Sequence, residues 1–126
     1  MTVPSSQRRR ILVVDDEPFV VDAVKMMLKH DGHMIETANS AEEALTLFEK
    51  GNFDLVITDY AMPGMKGDEL AAAIKARAPN HPVLMITAYA ELVESSGTPL
   101  PGVDCVISKP FLMENLRAAI AKAFTG

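Results

Sequence analysis

The stretch FDLVITDYAMPGMKG, residues 53–67, decides how the rest of the chain is read. Its first half is apolar and β-branched, as a strand buried on both faces of a sheet must be. That run, residues 53–58, ends against Asp59, and the turn residues Met62-Pro63-Gly64 follow almost at once. An unpaired charge at the end of a buried strand is costly. Asp59 therefore either serves the turn or is placed there to do chemistry. Beyond the turn, a helical pattern runs from about Lys66 to Arg77 and stops before Pro79, because the residue ahead of a proline disfavours helix.

The same alternation extends in both directions. Residues 11–14 (ILVV) read as a strand, followed by a helix from about Pro18 with Val20, Val24, Met27 and Leu28 on one face. Residues 33–38 form a more polar strand. Ser40-Ala41-Glu42-Glu43 is a capping box opening a helix whose stripe is Ala41, Ala44, Leu45 and Phe48. Residues 83–87 (VLMIT) and 105–108 (CVIS) are the fourth and fifth strands, and a last helix over about 112–124 buries Leu112, Leu116, Ile120 and Phe124. Strands alternating with helices imply βαβ units and a parallel sheet. The expected fold is α/β, a doubly wound five-stranded parallel sheet of flavodoxin-like (βα)5 type. The polar second strand suits an edge, which favours the order 2-1-3-4-5. Between strands 4 and 5, Gly97, Pro99, Pro101 and Gly102 leave room only for a short or irregular fourth helix.

With 126 residues the chain is the size of one domain, divided into a polar N-terminal tail over 1–9 and a folded unit over 10–126. A net charge of −5 gives no case for binding nucleic acid or an anionic membrane, and the run Arg8-Arg9-Arg10 reads as a solvated lead-in. No segment is long enough to span a bilayer, and no apolar leader precedes Asp15-Asp16. Cys105 is the only cysteine, which excludes an intrachain disulfide and suits a small core residue in a reducing, cytoplasmic setting. Met62 and Met65 read as packing, and the three histidines lack metal-ligand spacing.

Parallel strands place their carboxyl ends on one edge of the sheet. Strand 1 ends in Asp15-Asp16, strand 3 in Asp59, strand 4 in Thr87 and strand 5 in Lys109. Singly, each has a plain reading: helix capping for Asp15-Asp16, a turn for Asp59, strand propensity for Thr87, a surface lysine for Lys109. Jointly they are harder to dismiss. Converging carboxylates repel unless a cation compensates, and a few carboxylates with room for water suit Mg²⁺. A lysine and a hydroxyl at the same edge suit phosphoryl oxygens. The composite describes phosphoryl transfer to a carboxylate.

The segments ILVVDDEP, FDLVITDYAMPGMKGDEL, VLMITAYA and VISKPF resemble those of response-regulator receiver domains of two-component systems, chemotaxis-regulator-like, in the family's order and spacing. The resemblance implies that Asp59 accepts a phosphoryl group from a histidine kinase or histidine phosphotransfer protein. It implies that Asp16 binds Mg²⁺ directly, Asp15 through water, with Asp59 and the carbonyl of Ala61 completing the protein's share. Thr87 and Lys109 would hold the phosphoryl group, and Lys109-Pro110 would be cis. Such a domain signals to a downstream protein by changing conformation. It is not an enzyme acting on outside substrates, although it assists its own phosphorylation and dephosphorylation.

Val106 stands where the family usually carries an aromatic ring that swings on activation, so another element would carry the signal: Tyr89, or ordering of residues 95–104. Ala61 and Tyr89 match positions flanking the phosphoryl group. Two other readings differ in class. A small haloacid-dehalogenase-type phosphatase would need a second aspartate two residues after Asp59, where Ala61 stands, and a cap for which the chain is too short. A phosphorylation-independent interaction module would not need all five of Asp15, Asp16, Asp59, Thr87 and Lys109. No phosphate-cradling GxGxxG or GxxxxGK[ST] pattern occurs.

Overall fold

The fold is known from a computed structural model that describes residues 8–88 and 102–125. Five strands alternate with helices: β1 (Arg10–Val14), α1 (Pro18–His30), β2 (Met34–Ala38), α2 (Ala41–Lys50), β3 (Leu55–Asp59), α3 (Gly67–Arg77), β4 (Val83–Thr87), β5 (Cys105–Ser108) and the C-terminal helix α4 (Met113–Thr125). The sheet is wholly parallel in the order β2-β1-β3-β4-β5, as the patterning requires. The expected short helix between β4 and β5, Tyr89 and residues 1–7 fall outside the described residues.

Alternation along the strands sorts the core into two layers. Ile11, Val13, Leu55, Ile57, Leu84 and Ile86 face α1 and α4, meeting Val24, Leu28, Leu116 and Ile120. Leu12, Val14, Val56 and Val83 face α2 and α3, meeting Ala41, Ala44, Leu70 and Ile74. β3 and β4 are buried at every position, whereas the edge strand β2 alternates between exposed and covered residues. Met62 is fully buried and Met65 packs beside it, so both methionines serve packing.

Two details depart from expectation. Leu112 is exposed rather than part of the last helix's buried stripe. Its carbonyl accepts the N–H of Leu116 and its own N–H is taken by Asn115 Oδ1, so it stands just outside α4 as the residue that opens the helix. The basic run is also less solvated than its composition suggests. The guanidinium of Arg9 lies 4.0 Å over the Phe124 ring, Arg10 lies 5.4 Å over Phe53, and the Arg9 carbonyl accepts the Met34 N–H.

Candidate functional site

Three loops meet at the carboxyl edge of the central strands. In the β1–α1 loop, the Asp15 N–H donates to the Ala38 carbonyl, which holds the turn against β2. Asp15 Oδ1 then accepts the N–H of Glu17, and the Glu17 carbonyl accepts from Val20 and Val21, starting α1. No side chain caps α1 at Glu17, so helix capping does not account for this acidic run.

In the β3–α3 loop, Asp59 is the last residue of its strand and is buried, and its Oδ1 accepts the Tyr60 N–H at 2.8 Å. The loop is tight because Gly67 donates its N–H to the Tyr60 carbonyl and leaves no room for a side chain against the backbone of Asp59. A Cβ at position 67 would overlap the Asp59 carbonyl oxygen, so only glycine fits there. Ala61, two residues past Asp59, is half-buried. Beyond β5, the Lys109 N–H donates to the Thr87 carbonyl and the Lys109-Pro110 bond is cis, as the resemblance implied. Thr87, at the end of β4, is fully buried.

The side chains converge as charges. Lys109 Nζ lies 3.1 Å from Asp15 Oδ2, 3.5 Å from Asp59 Oδ1 and 3.6 Å from Glu17 Oε1. One oxygen each from Asp15, Asp16, Glu17 and Asp59 falls within 4.8 Å of all the others. Burial, and then the charge of Asp15, push the Asp59 carboxyl up to about 6 against the opposing pull of Lys109 and the Tyr60 N–H. Burial raises Asp15 as well. Burial works against the Lys109 ammonium, but its hydrogen bond to Asp15 and the charges of Asp59, Asp15 and Glu17 outweigh it, so that pKa is raised.

Four carboxylates against one ammonium leave the cluster short of positive charge. Hard oxygen donors in that arrangement fit a divalent cation such as Mg²⁺. Of the residues singled out in the sequence, Asp15, Asp16, Asp59 and Lys109 meet directly, with Thr87 and Ala61 on the same edge. Val106 lies elsewhere: it is half-buried and lines an open groove of about 430 Å³ with Ser108, Asn115 and Lys122. Two contributors were not singled out. Glu17 was visible only as one more acid before Pro18, and Gly67 only as a glycine at a helix start.

Comparison with known proteins points the same way. The family model described as the response regulator receiver domain matches residues 11–121. The chain is 36% identical over 118 residues to the chemotaxis protein CheY of Pseudomonas aeruginosa, covering 91% of this chain and 95% of that protein. It is 32% identical over 111 residues to the transcriptional regulatory protein TcrA of Mycobacterium tuberculosis, covering 88% of this chain but 44% of that protein. The chain thus spans less than half the length of some relatives and nearly all of others. Among solved structures, the response regulator TrrA of Thermotoga maritima, in complex with Mg²⁺-BeF, has a TM-score of 0.82 at 37% identity over 92% of this chain and 99% of that one. A CheY-like receiver domain protein of Methanospirillum hungatei has a TM-score of 0.83 at 33% identity over 92% and 93%.

Proposed function

The chain belongs to the response regulator receiver domain family, the phosphoacceptor domains of two-component signalling, and on that premise we propose that Asp59 is its acceptor. Residues 10–126 form the receiver unit behind a polar lead over 1–9. The donor is a phosphohistidine on a histidine kinase or a histidine phosphotransfer protein. A carboxylate oxygen of Asp59 attacks phosphorus, the P–N bond breaks, and its electron pair returns to the imidazole of the donor.

Each neighbour has a task in that transfer. The Tyr60 N–H fixes the rotation of the Asp59 carboxylate. Lys109, already 3.5 Å from Asp59, stays with the phosphoryl oxygens as their charge approaches, and the Thr87 hydroxyl donates to one of them in the product. Asp15, Asp16, Asp59 and the carbonyl of Ala61 would hold Mg²⁺, with Asp15 acting through water. When bound, the ion supplies positive charge that the phosphoryl oxygens share with Lys109. The domain promotes its own phosphorylation and the later hydrolysis, and it turns over no outside substrate. It works in the cytoplasm, touches neither nucleic acid nor membrane, and a protein partner reads its state.

The observation that carries this reading is a buried carboxylate at a strand end, 3.5 Å from Lys109 and grouped with three further carboxylates. The test is intact-protein mass after incubation with acetyl phosphate, with and without Mg²⁺. One phosphoryl group should be gained only with the metal, and none by Asp59→Asn. Metal-independent labelling would remove the cation from the transfer, and labelling of the variant would move the acceptor elsewhere.

A further inference from the structure

Glu17 does something that its place in the chain does not require. It is the N-cap residue of α1, where short side chains bond back to the helix, yet it makes no capping bond. Its backbone is fixed on both sides, since its N–H donates to Asp15 Oδ1 and its carbonyl receives Val20 and Val21. With the backbone held, the side chain turns to the acidic cluster. Its Oε1 lies 3.6 Å from Lys109 Nζ, and one of its oxygens lies within 4.8 Å of those of Asp15, Asp16 and Asp59. Unlike the buried Asp15 and Asp59, its side chain is 61% exposed, so it sits at the solvent side of the cluster.

We propose that Glu17 is a further ligand arm of the cation site and sets which divalent ion the site prefers. The inference rests on the cation site proposed above and concerns its selectivity. Ligand geometry supplies the reason. Mg²⁺ binds oxygens at about 2.0–2.1 Å, so opposite ligands stand roughly 4.2 Å apart, and it keeps several waters. Ca²⁺ binds at about 2.3–2.6 Å, spans roughly 4.6–5.2 Å, and accepts six to eight oxygens in irregular order. Four carboxylates in reach of one another are rich in acids for Mg²⁺, which keeps several waters, and better able to fill the larger shell of Ca²⁺. The longer, solvent-facing Glu17 is the arm able to swing in and close on the larger ion.

Ligation and plain charge predict different outcomes. A carboxylate acting only through space attracts two ions of equal charge equally. One that becomes a ligand helps the ion with more coordination places to fill. The experiment is calorimetric titration of the metal-free chain with magnesium chloride and, separately, calcium chloride, for the wild type, Glu17→Gln and Glu17→Ala. Thermal melts without metal confirm that the variants are folded. Glu17→Gln should weaken Ca²⁺ binding about tenfold and Mg²⁺ binding about threefold, and Glu17→Ala should behave alike. An equal loss for both ions would reduce Glu17 to a background charge, and no loss for either would remove it from the site. Both outcomes overturn the inference while leaving the acceptor chemistry standing. A wild type that binds neither ion would instead overturn the cation site itself.

Discussion

Asp59 is held as an anion in a place that resists it, and the sign of that cost can be followed. Burial and Asp15 raise its pKa from 3.8 to about 6, so the folded chain keeps the Asp59 proton at a pH where the unfolded chain has lost it. Stability from this group is therefore greatest in acid and is lost as pH rises through the folded value near 6. The loss amounts to about 3 kcal/mol at neutral pH. In metal-free buffer at pH 7.5, Asp59→Asn should be more stable than wild type by about 1–2 kcal/mol, after allowing for the lost attraction to Lys109. The gap should shrink between pH 6 and 4, and millimolar Mg²⁺ should reverse it by binding only the wild-type site well. Urea unfolding midpoints across that pH range check all three, and a gap independent of pH would mean that Asp59 is not strained. The charges that create this strain were legible in the sequence, because parallel strands deliver Asp15, Asp16, Asp59 and Lys109 to one edge whatever the loops do. Glu17 was not, because an acid before Pro18 reads as a helix start, and only the folded backbone shows that it caps nothing.

At the scale of elements, α3 is seated directly on the acceptor. A Cβ at Gly67, in the first turn of that helix, would meet the backbone of Asp59 and Tyr60 rather than any side chain, so nothing flexible could give way. Gly67→Ala should cost about 3 kcal/mol or more and displace Asp59, so unfolding and phosphoryl labelling should suffer together. A variant that is destabilised yet labels normally would show that α3 can shift without moving the acceptor. At the opposite end of the sheet, His33 joins the approach to β1 with the start of β2. Its Nδ1 accepts the Arg9 N–H at 3.0 Å, which requires that nitrogen to be unprotonated. Burial lowers the His33 pKa, so the stability from this contact is present above the unfolded value of about 6.5 and is lost as pH falls below it. The Arg9 amide resonance should titrate in step with the His33 ring, and an amide indifferent to that titration would break the link. Neither contact could be read from the chain, since the first depends on how the loop from Asp59 to Gly67 folds back on itself and the second brings a ring nitrogen to a backbone amide 24 residues away. Lys75 and Asp104 are a third example: Asp104 pairs with Lys75 at 3.0 Å and accepts the Val83 N–H at 2.8 Å, which ties the entry of β5 to α3 and β4.

For the molecule as a whole, strand order was readable because the pattern of burial differs between strands. Continuous apolar runs in β1, β3 and β4 required cover on both faces, and the alternation in β2 required an edge. Leu112 was misplaced because an apolar residue one step before a helix looks the same in sequence as one inside it. The same two-sided burial gives the molecule two cores separated by the sheet, with α1 and α4 over one and α2 and α3 over the other. Ile120 belongs to the first and Ile74 to the second. Shortening either to valine removes one methylene and should cost about 0.5–1.5 kcal/mol. Because neighbours in one layer are screened from the other by the strand backbones, the double variant should lose the sum to within about 0.5 kcal/mol. The dependence on urea should also stay that of the wild type, since both layers unfold with the shared sheet in one transition. A coupling well above that margin would mean that the strands pass strain from one face to the other. A shallower urea dependence would mean that one layer can open while the other holds, and the acceptor edge, which draws Asp59 from the sheet and Gly67 from α3, would then loosen with the α2–α3 layer alone.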